Sequence, residues 1–347
     1  MKLATTTGFF LGDSKDSAGA VRLFEGTGFK YLDYNFYSVI FEGSPFLENN
    51  WLDDVEAAGR EAERLGFSFV HAHSPNYNPL DPKANHERGI LATNRSIEAC
   101  GRLGIKTIVV HSGFSLDYKY PQDRDGYFRI NKEFYQKLIP AMEKWEVNVL
   151  IENSAEGNMG ERYFFMTGEE MRDFADYFNH PLLHCNWDIG HANMRNNDQY
   201  LDILAMGDHL RGLHIQDNFG KADEHLAPFV GTTDMDAVMQ GLLKINYKGY
   251  FTFEADNIIL SRSHFPHGGR KKSPSITDRR LALPPIEIKQ KAISFLYEIE
   301  NVNKYLLHPY RQCSYSFDNK STTKLAKKLG FYGQTQQFVI ILQSNRY

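Results

Sequence analysis

The sequence predicts an α/β chain folded as a single (β/α)8 barrel of the TIM type with a short C-terminal tail, the barrel over residues 1–307 and the extension over 308–347. Three observations predict it. Eight strand-like apolar runs begin roughly every 30–40 residues, amphipathic stretches with helical spacing separate them, and several runs close on a carboxylate or an imidazole. A strand that ends in this way puts a metal ligand at the rim of a sheet, where neighbouring strands converge on one cation.

The strand candidates are KLATTTG at 2–8, KYLDYNF at 30–36, FSFVHAH at 67–73, KTIVVHS at 106–112, NVLIENS at 148–154, LLHCNWD at 182–188, LRGLHIQ at 210–216 and GYFTFEA at 249–255. Between them lie helical stretches such as WLDDVEAAGREAERLG, NRSIEACGRLG, NKEFYQKLIPAMEKW, TGEEMRDFADYF and MDAVMQGLLKI. Several of these end in Gly or Asn just before the next strand, as helix C-terminal caps do. No Gly-rich phosphate loop follows the first run, which disfavours an open doubly wound sheet.

With 347 residues, 42% hydrophobic and 24% charged, the chain has the material for one large barrel domain. The start, MKLATTTGFFLGDSKD, contains no long apolar stretch, so neither a signal peptide nor a membrane span is expected, and the cytoplasm is the expected location. Cys100, Cys185 and Cys313 are widely spaced and form no CxxC pair, which argues against a disulfide framework and a cysteine-based zinc site in favour of buried free thiols. A formal net charge of −4 provides no general electrostatic footprint for nucleic acid.

Two segments break the rhythm. Residues 257–284 read as a long loop on the active-site face, where Arg270, Lys271 and Lys272 either hold a phosphate or carboxylate or, with about twice the weight, are simply solvated. Beyond about residue 308 the chain reads as an appended tail with a short helix at 320–329 and no catalytic role. Its FDNKSTTKLAKKLGFYG looks like the closing helix and turn of a GNAT-type acetyltransferase, but it is too short to make that fold.

The residues with metal-binding chemistry are Glu152 in NVLIEN, Asp188 and His191 in LLHCNWDIGH, His214 in LRGLHIQDN and Glu254 in GYFTFEAD. His73 in HAHSP, His111 in VVHSG, and Asp223 and His225 in DNFGKADEHLAPFVGTTDM join them. The combination E-N, D-x-G-H, H-x-x-D-N-x-G-x-x-D-x-H-x-x-P and F-E resembles the xylose isomerase-like TIM-barrel superfamily over roughly residues 1–305. That superfamily holds sugar isomerases and epimerases, inosose-processing enzymes and endonuclease IV. Phe229 and Val230 stand where its motif has a Gly, which predicts a different local turn, while Gly231 and Asp234 keep the motif's close.

In the sugar branch the resemblance implies one divalent cation (Mn, Mg, Co or Zn) on Glu152, Asp188, His214 and Glu254. There His191 meets a substrate oxygen, His225 lies nearby, and His73 and His111 line the pocket. In the endonuclease IV branch it implies three zinc ions, with His73, His111, His191, Asp223 and His225 as further ligands. Tyr118, Tyr120, Asn186, Trp187, Asn193, Gln216 and Asn218 offer rings and amides suited to a polyol, which favours a small sugar substrate over nucleic acid or a membrane. A homo-oligomer is compatible with the sequence. The chemistry expected is proton transfer through a cation-stabilised enediolate, with Glu152 and Glu254 exchanging the proton and Asp217 orienting an imidazole. The alternatives are a metal-dependent lyase or dehydratase on an inosose-like or keto-acid substrate, and a trinuclear zinc phosphoesterase.

Overall fold

Eight parallel strands close into a barrel in sequence order: β1 (Lys2–Thr6), β2 (Tyr31–Asn35), β3 (Ser68–His73), β4 (Thr107–Val109), β5 (Asn148–Glu152), β6 (Leu183–Asp188), β7 (Leu210–Ile215) and β8 (Tyr250–Phe253). The ring is shut by β1 on β8, in register from Lys2↔Tyr250 to Thr5↔Phe253. The computed structural model describes residues 2–255 and 286–306. The loop expected over 257–284 with Arg270, Lys271 and Lys272, the tail from 308 with its short helix, and Cys313 all lie outside the described residues.

The period-two alternation of a strand sets which side chains meet the site. On β6, Trp187 faces the helices and donates its indole N–H to Gln199 Oε1 at 2.9 Å, whereas its neighbours Asn186 and Asp188 turn toward Glu152 and Gln216 inside the barrel. The strands are shorter than their apolar runs suggest, most clearly β4, which stops at Val109. The residues that follow leave the ladder for side-chain partners: Ser112 Oγ meets Tyr127 OH at 2.6 Å, and the Asn131 amide clasps both the N–H and the carbonyl of Gly113. This clasp fixes the chain just beyond His111.

The expected helix ends are present. Gly66 (φ 73°), Gly104 (φ 74°) and Asn179 (φ 56°) sit in the left-handed conformation after the helices Leu52–Leu65, His86–Leu103 and Gly168–Phe178. Between sheet and helices lies an apolar layer in which Tyr127, Phe165 and Phe174 are fully buried and pack ring on ring. Cys100 and Cys185 are free thiols within the buried interior, as expected. Among the described residues no helix is long and apolar enough to cross a membrane.

The helix Ile286–Leu306 packs against the start of the chain. Tyr297 meets Phe29 edge to face at 5.3 Å, and its ring occupies the space a Cβ at Gly28 would need, a residue also at φ +93°. Lys289 forms a buried ion pair with Asp13, the two side chains only 5% and 8% exposed. Removing one partner leaves an uncompensated buried charge, so Lys289→Met will destabilise the protein by about 3 kcal/mol, and Asp13→Asn in the same chain will cost much less than it does alone. Denaturant unfolding of the two single variants and the double variant checks both statements.

Candidate metal centre

Among the described residues, the barrel mouth collects nine titratable donors in three groups. Glu152, Asp188, His214 and Glu254 form one; His73, His111 and Glu152 a second; His191, Asp223 and His225 a third. In each group, donor atoms lie within 4.8 Å of one another. Adjacent strands supply the four-donor group, because Glu152 and Asp188 end β5 and β6, His214 lies one residue from the end of β7, and Glu254 follows β8 directly.

The free atoms of this group are those a cation requires. Asp188 spends Oδ1 on the N–H of His191 at 2.7 Å, capping the short helix Ile189–Met194, while its Oδ2 is buried without a partner. His214 Nδ1 lies 2.5 Å from Glu152 Oε1 and 3.1 Å from Glu254 Oε2, yet makes a properly directed hydrogen bond with neither. Buried polar atoms are almost always satisfied, so orphans converging on one point fit a divalent cation held by oxygen and imidazole ligands.

Electrostatics support the same reading. Burial alone would raise the Glu152 carboxyl, but the nearby His214 charge and the hydrogen bond with His111 outweigh it and hold the group well below the usual range. Glu254 is likewise brought down to about 2, burial being overcome chiefly by His214. His214 is raised well above the ordinary histidine value, the two glutamates prevailing over burial. A positively charged imidazole therefore stands between the two glutamates, and a cation bound through this nitrogen would have to displace its proton.

Three imidazoles are oriented by main-chain carbonyls. His73 Nδ1 meets Ser74 O at 2.9 Å, His191 Nδ1 meets Asn153 O at 2.9 Å, and His225 Nδ1 meets Glu254 O at 2.8 Å. A carbonyl accepts only, so each ring carries its proton on Nδ1 and turns Nε2 toward the mouth. Burial lowers His73 to about 4, which keeps it a neutral donor near pH 7. His191 goes the other way, to about 10, because Asp188 and Asp223 overcome the effect of burial. Its Nε2 lies 3.0 Å from Asp223 Oδ2.

Other expected roles are corrected. Asp217 does not orient an imidazole: it accepts from the N–H groups of Asn218 (2.8 Å), Gly231 (2.8 Å) and Thr233 (3.1 Å), and so ties down the loop after β7. At Gly231 a Cβ would lie 2.1 Å from Asn218 O, which explains the glycine. Phe229 adopts φ 69°, the left-handed backbone that a glycine would take without strain. Asn186, Trp187, Gln216 and Asn218 are fully buried rather than polyol-facing.

Two of these amides instead set carboxylate orientation. Asn186 Nδ2 donates to Glu152 Oε1 at 2.8 Å and lies against Gly212, where a Cβ would stand 2.4 Å from Asn186 Oδ1. Gln216 Nε2 donates to Asp223 Oδ1 at 2.6 Å and to Asp188 Oδ1 at 3.3 Å, and its amide lies against Gly190 in the same manner. Tyr118 is packed against the apolar core, and Asn193 donates to the carbonyl of Asn218 at 3.0 Å. Tyr120 lies under Arg195, whose guanidinium is 5.0 Å from the ring centroid.

Sequence reasoning passed over Asp33 and His71, both buried inside the barrel. Burial pushes Asp33 up to about 7 against the His214 charge, and its Oδ1 has no partner. His71 binds Thr107 Oγ1 through Nδ1 at 2.7 Å and packs 5.6 Å from the His214 ring. Polar residues inside an apolar run were the available signal.

Residues 27–277 match the Xylose isomerase-like TIM barrel family, and the chain belongs to it. It is 26% identical over 183 residues to the uncharacterized protein y4fM of Sinorhizobium fredii, an alignment spanning 52% of this chain and 57% of that protein. In three dimensions it is similar to a D-tagatose 3-epimerase-like protein, with TM-score 0.62 and 17% identity over 88% of this chain and 100% of the other. It is also similar to the 3-keto-D-glucoside 4-epimerase YcjR from E. coli, with TM-score 0.60 and 16% identity over 86% and 99% of the two chains. At such identities these two likenesses establish the fold.

Proposed function

We propose that this protein is a divalent-cation-dependent sugar or sugar phosphate isomerase or epimerase. The observation that carries the reading is the four-donor group, in which two glutamates held ionised, the buried Glu152 and the partly exposed Glu254, flank one imidazole. A cation on Glu152, Asp188, His214 and Glu254 would polarise a substrate carbonyl and stabilise the enediolate left by loss of the neighbouring proton. Glu152 and Glu254 are the bases and acids of the reaction: one takes the proton from carbon and the other returns it, on the opposite face for an epimerisation. His191, whose two ring N–H groups go to Asn153 O and Asp223, meets the substrate only by giving up its bond to Asp223, and His73, His111 and His225 present imidazole nitrogens to hydroxyls. Two of the solved structures of similar fold are named as a 3-epimerase-like protein and a 4-epimerase, which supports the class.

A second reading rests on its own observation. Two further donor groups adjoin the first, and Glu152 belongs to both the four-donor group and the His73–His111 group, an arrangement suited to three zinc ions and phosphodiester hydrolysis. Elemental analysis of the purified full chain decides between them. The isomerase or epimerase reading expects about one divalent cation per chain. Three tightly held zinc ions with phosphodiesterase turnover would replace it.

A further inference from the structure

The loop that leaves β2 carries Tyr37, an aromatic side chain 42% exposed at the barrel mouth. Isolated exposed aromatics are ordinary, but this one is fixed from both sides. Its N–H donates to Asn35 Oδ1 at 3.0 Å, and its carbonyl accepts from the N–H of Asn76 at 3.0 Å. The ring meets the His73 ring at 5.6 Å with an interplanar angle of 64°. Its phenol is raised above the ordinary tyrosine value by burial and then by Glu254, with Asp223 adding to the rise and His225 opposing it. Tyr37 therefore touches one donor group directly through His73 and stands within electrostatic reach of the other two.

We propose that Tyr37 is a substrate-contacting residue that sets affinity and selectivity, packing its ring on the C–H face of a sugar and donating its hydroxyl to a sugar oxygen. The inference rests on the sugar-processing reading above. The half-exposed ring, held by its backbone and seated on His73, faces the mouth beside the donor groups, which places its hydroxyl with the substrate and leaves the donor groups to the metal. An aromatic ring with a polar end suits a ligand that has one apolar face and a rim of hydroxyls.

The test uses cation-loaded full-chain protein and the variants Tyr37→Phe and Tyr37→Ala, with D-tagatose, D-psicose and D-fructose as probes. Cation content and melting temperature will match wild type. For the ketose that wild type turns over, KM will rise about three- to tenfold in Tyr37→Phe, the loss of one hydrogen bond, while kcat changes less. In Tyr37→Ala it will rise by roughly thirtyfold or more as the ring contact goes too. Unchanged KM in both variants overturns the inference while leaving the proposed function standing. Loss of cation content in Tyr37→Phe overturns it in favour of a ligand role. A wild type that binds and turns over no sugar sinks the proposed function, and this inference with it.

Discussion

Glu152→Gln and Glu254→Gln will each leave the barrel folded and cut turnover by about 10²–10⁴-fold, the loss expected when a positioned acid or base is removed. The two will not be equivalent. Glu152 accepts from Asn186 and meets His111 Nε2 at 2.8 Å, so its amide analogue also disturbs the second donor group, whereas Glu254 belongs to the four-donor group alone. Glu152→Gln will therefore lose more cation affinity. With a single epimer in deuterated water, the variant lacking the returning acid will exchange label into recovered substrate without forming product. Mass spectrometry of recovered substrate assigns each glutamate to a face, and equal full activity in both variants would remove them from the reaction.

His214→Ala will abolish cation retention and activity together. In the cation-free protein the imidazolium compensates Glu152 and Glu254, and a bound cation would take over that charge. The alanine variant lacks the first source of compensation and one ligand of the second. It will lose about 3 kcal/mol of stability, because the buried Glu152 and the partly exposed Glu254 lose the positive partner they share. The rise in melting temperature that added divalent metal gives wild type will also vanish, since ligand-linked stabilisation needs the site. Thermal unfolding with and without metal, alongside elemental analysis, checks this. Wild-type cation content in His214→Ala would show that the four donors do not share an ion.

The fold was legible because every strand shows an apolar run and several announce themselves again by the Gly or Asn that ends the preceding helix, as at Gly66, Gly104 and Asn179. The four donors were legible for a related reason: a carboxylate or imidazole at the close of a buried strand has few places to go besides the mouth. What escaped was side-chain direction and backbone chemistry. Trp187 is one residue from Asp188 and faces the opposite way, so a ring within a metal-site motif belongs to the helix layer. Gln216 and Asn186 read as polyol-facing amides, yet are buried side chains whose placement depends on glycines at 190 and 212. Asp217 seemed the natural partner for an imidazole, but the carbonyls of Asn153, Ser74 and Glu254 do that work, and a carbonyl carries no residue signature. Asp33 was hidden inside KYLDYNF, where a strand-interior acid reads as an exposed face until closure buries it.

The central claim is that Glu152 and Glu254 move a carbon-bound proton of a sugar beside a bound cation. Solvent-deuterium incorporation measures this directly. Cation-loaded wild type, incubated with a panel of ketoses and aldoses in deuterated water, is predicted to place label on the carbon next to the carbonyl of at least one sugar, with no loss of water from the product. Absence of label in every sugar, together with cleavage of a phosphodiester by the same preparation, would contradict the account.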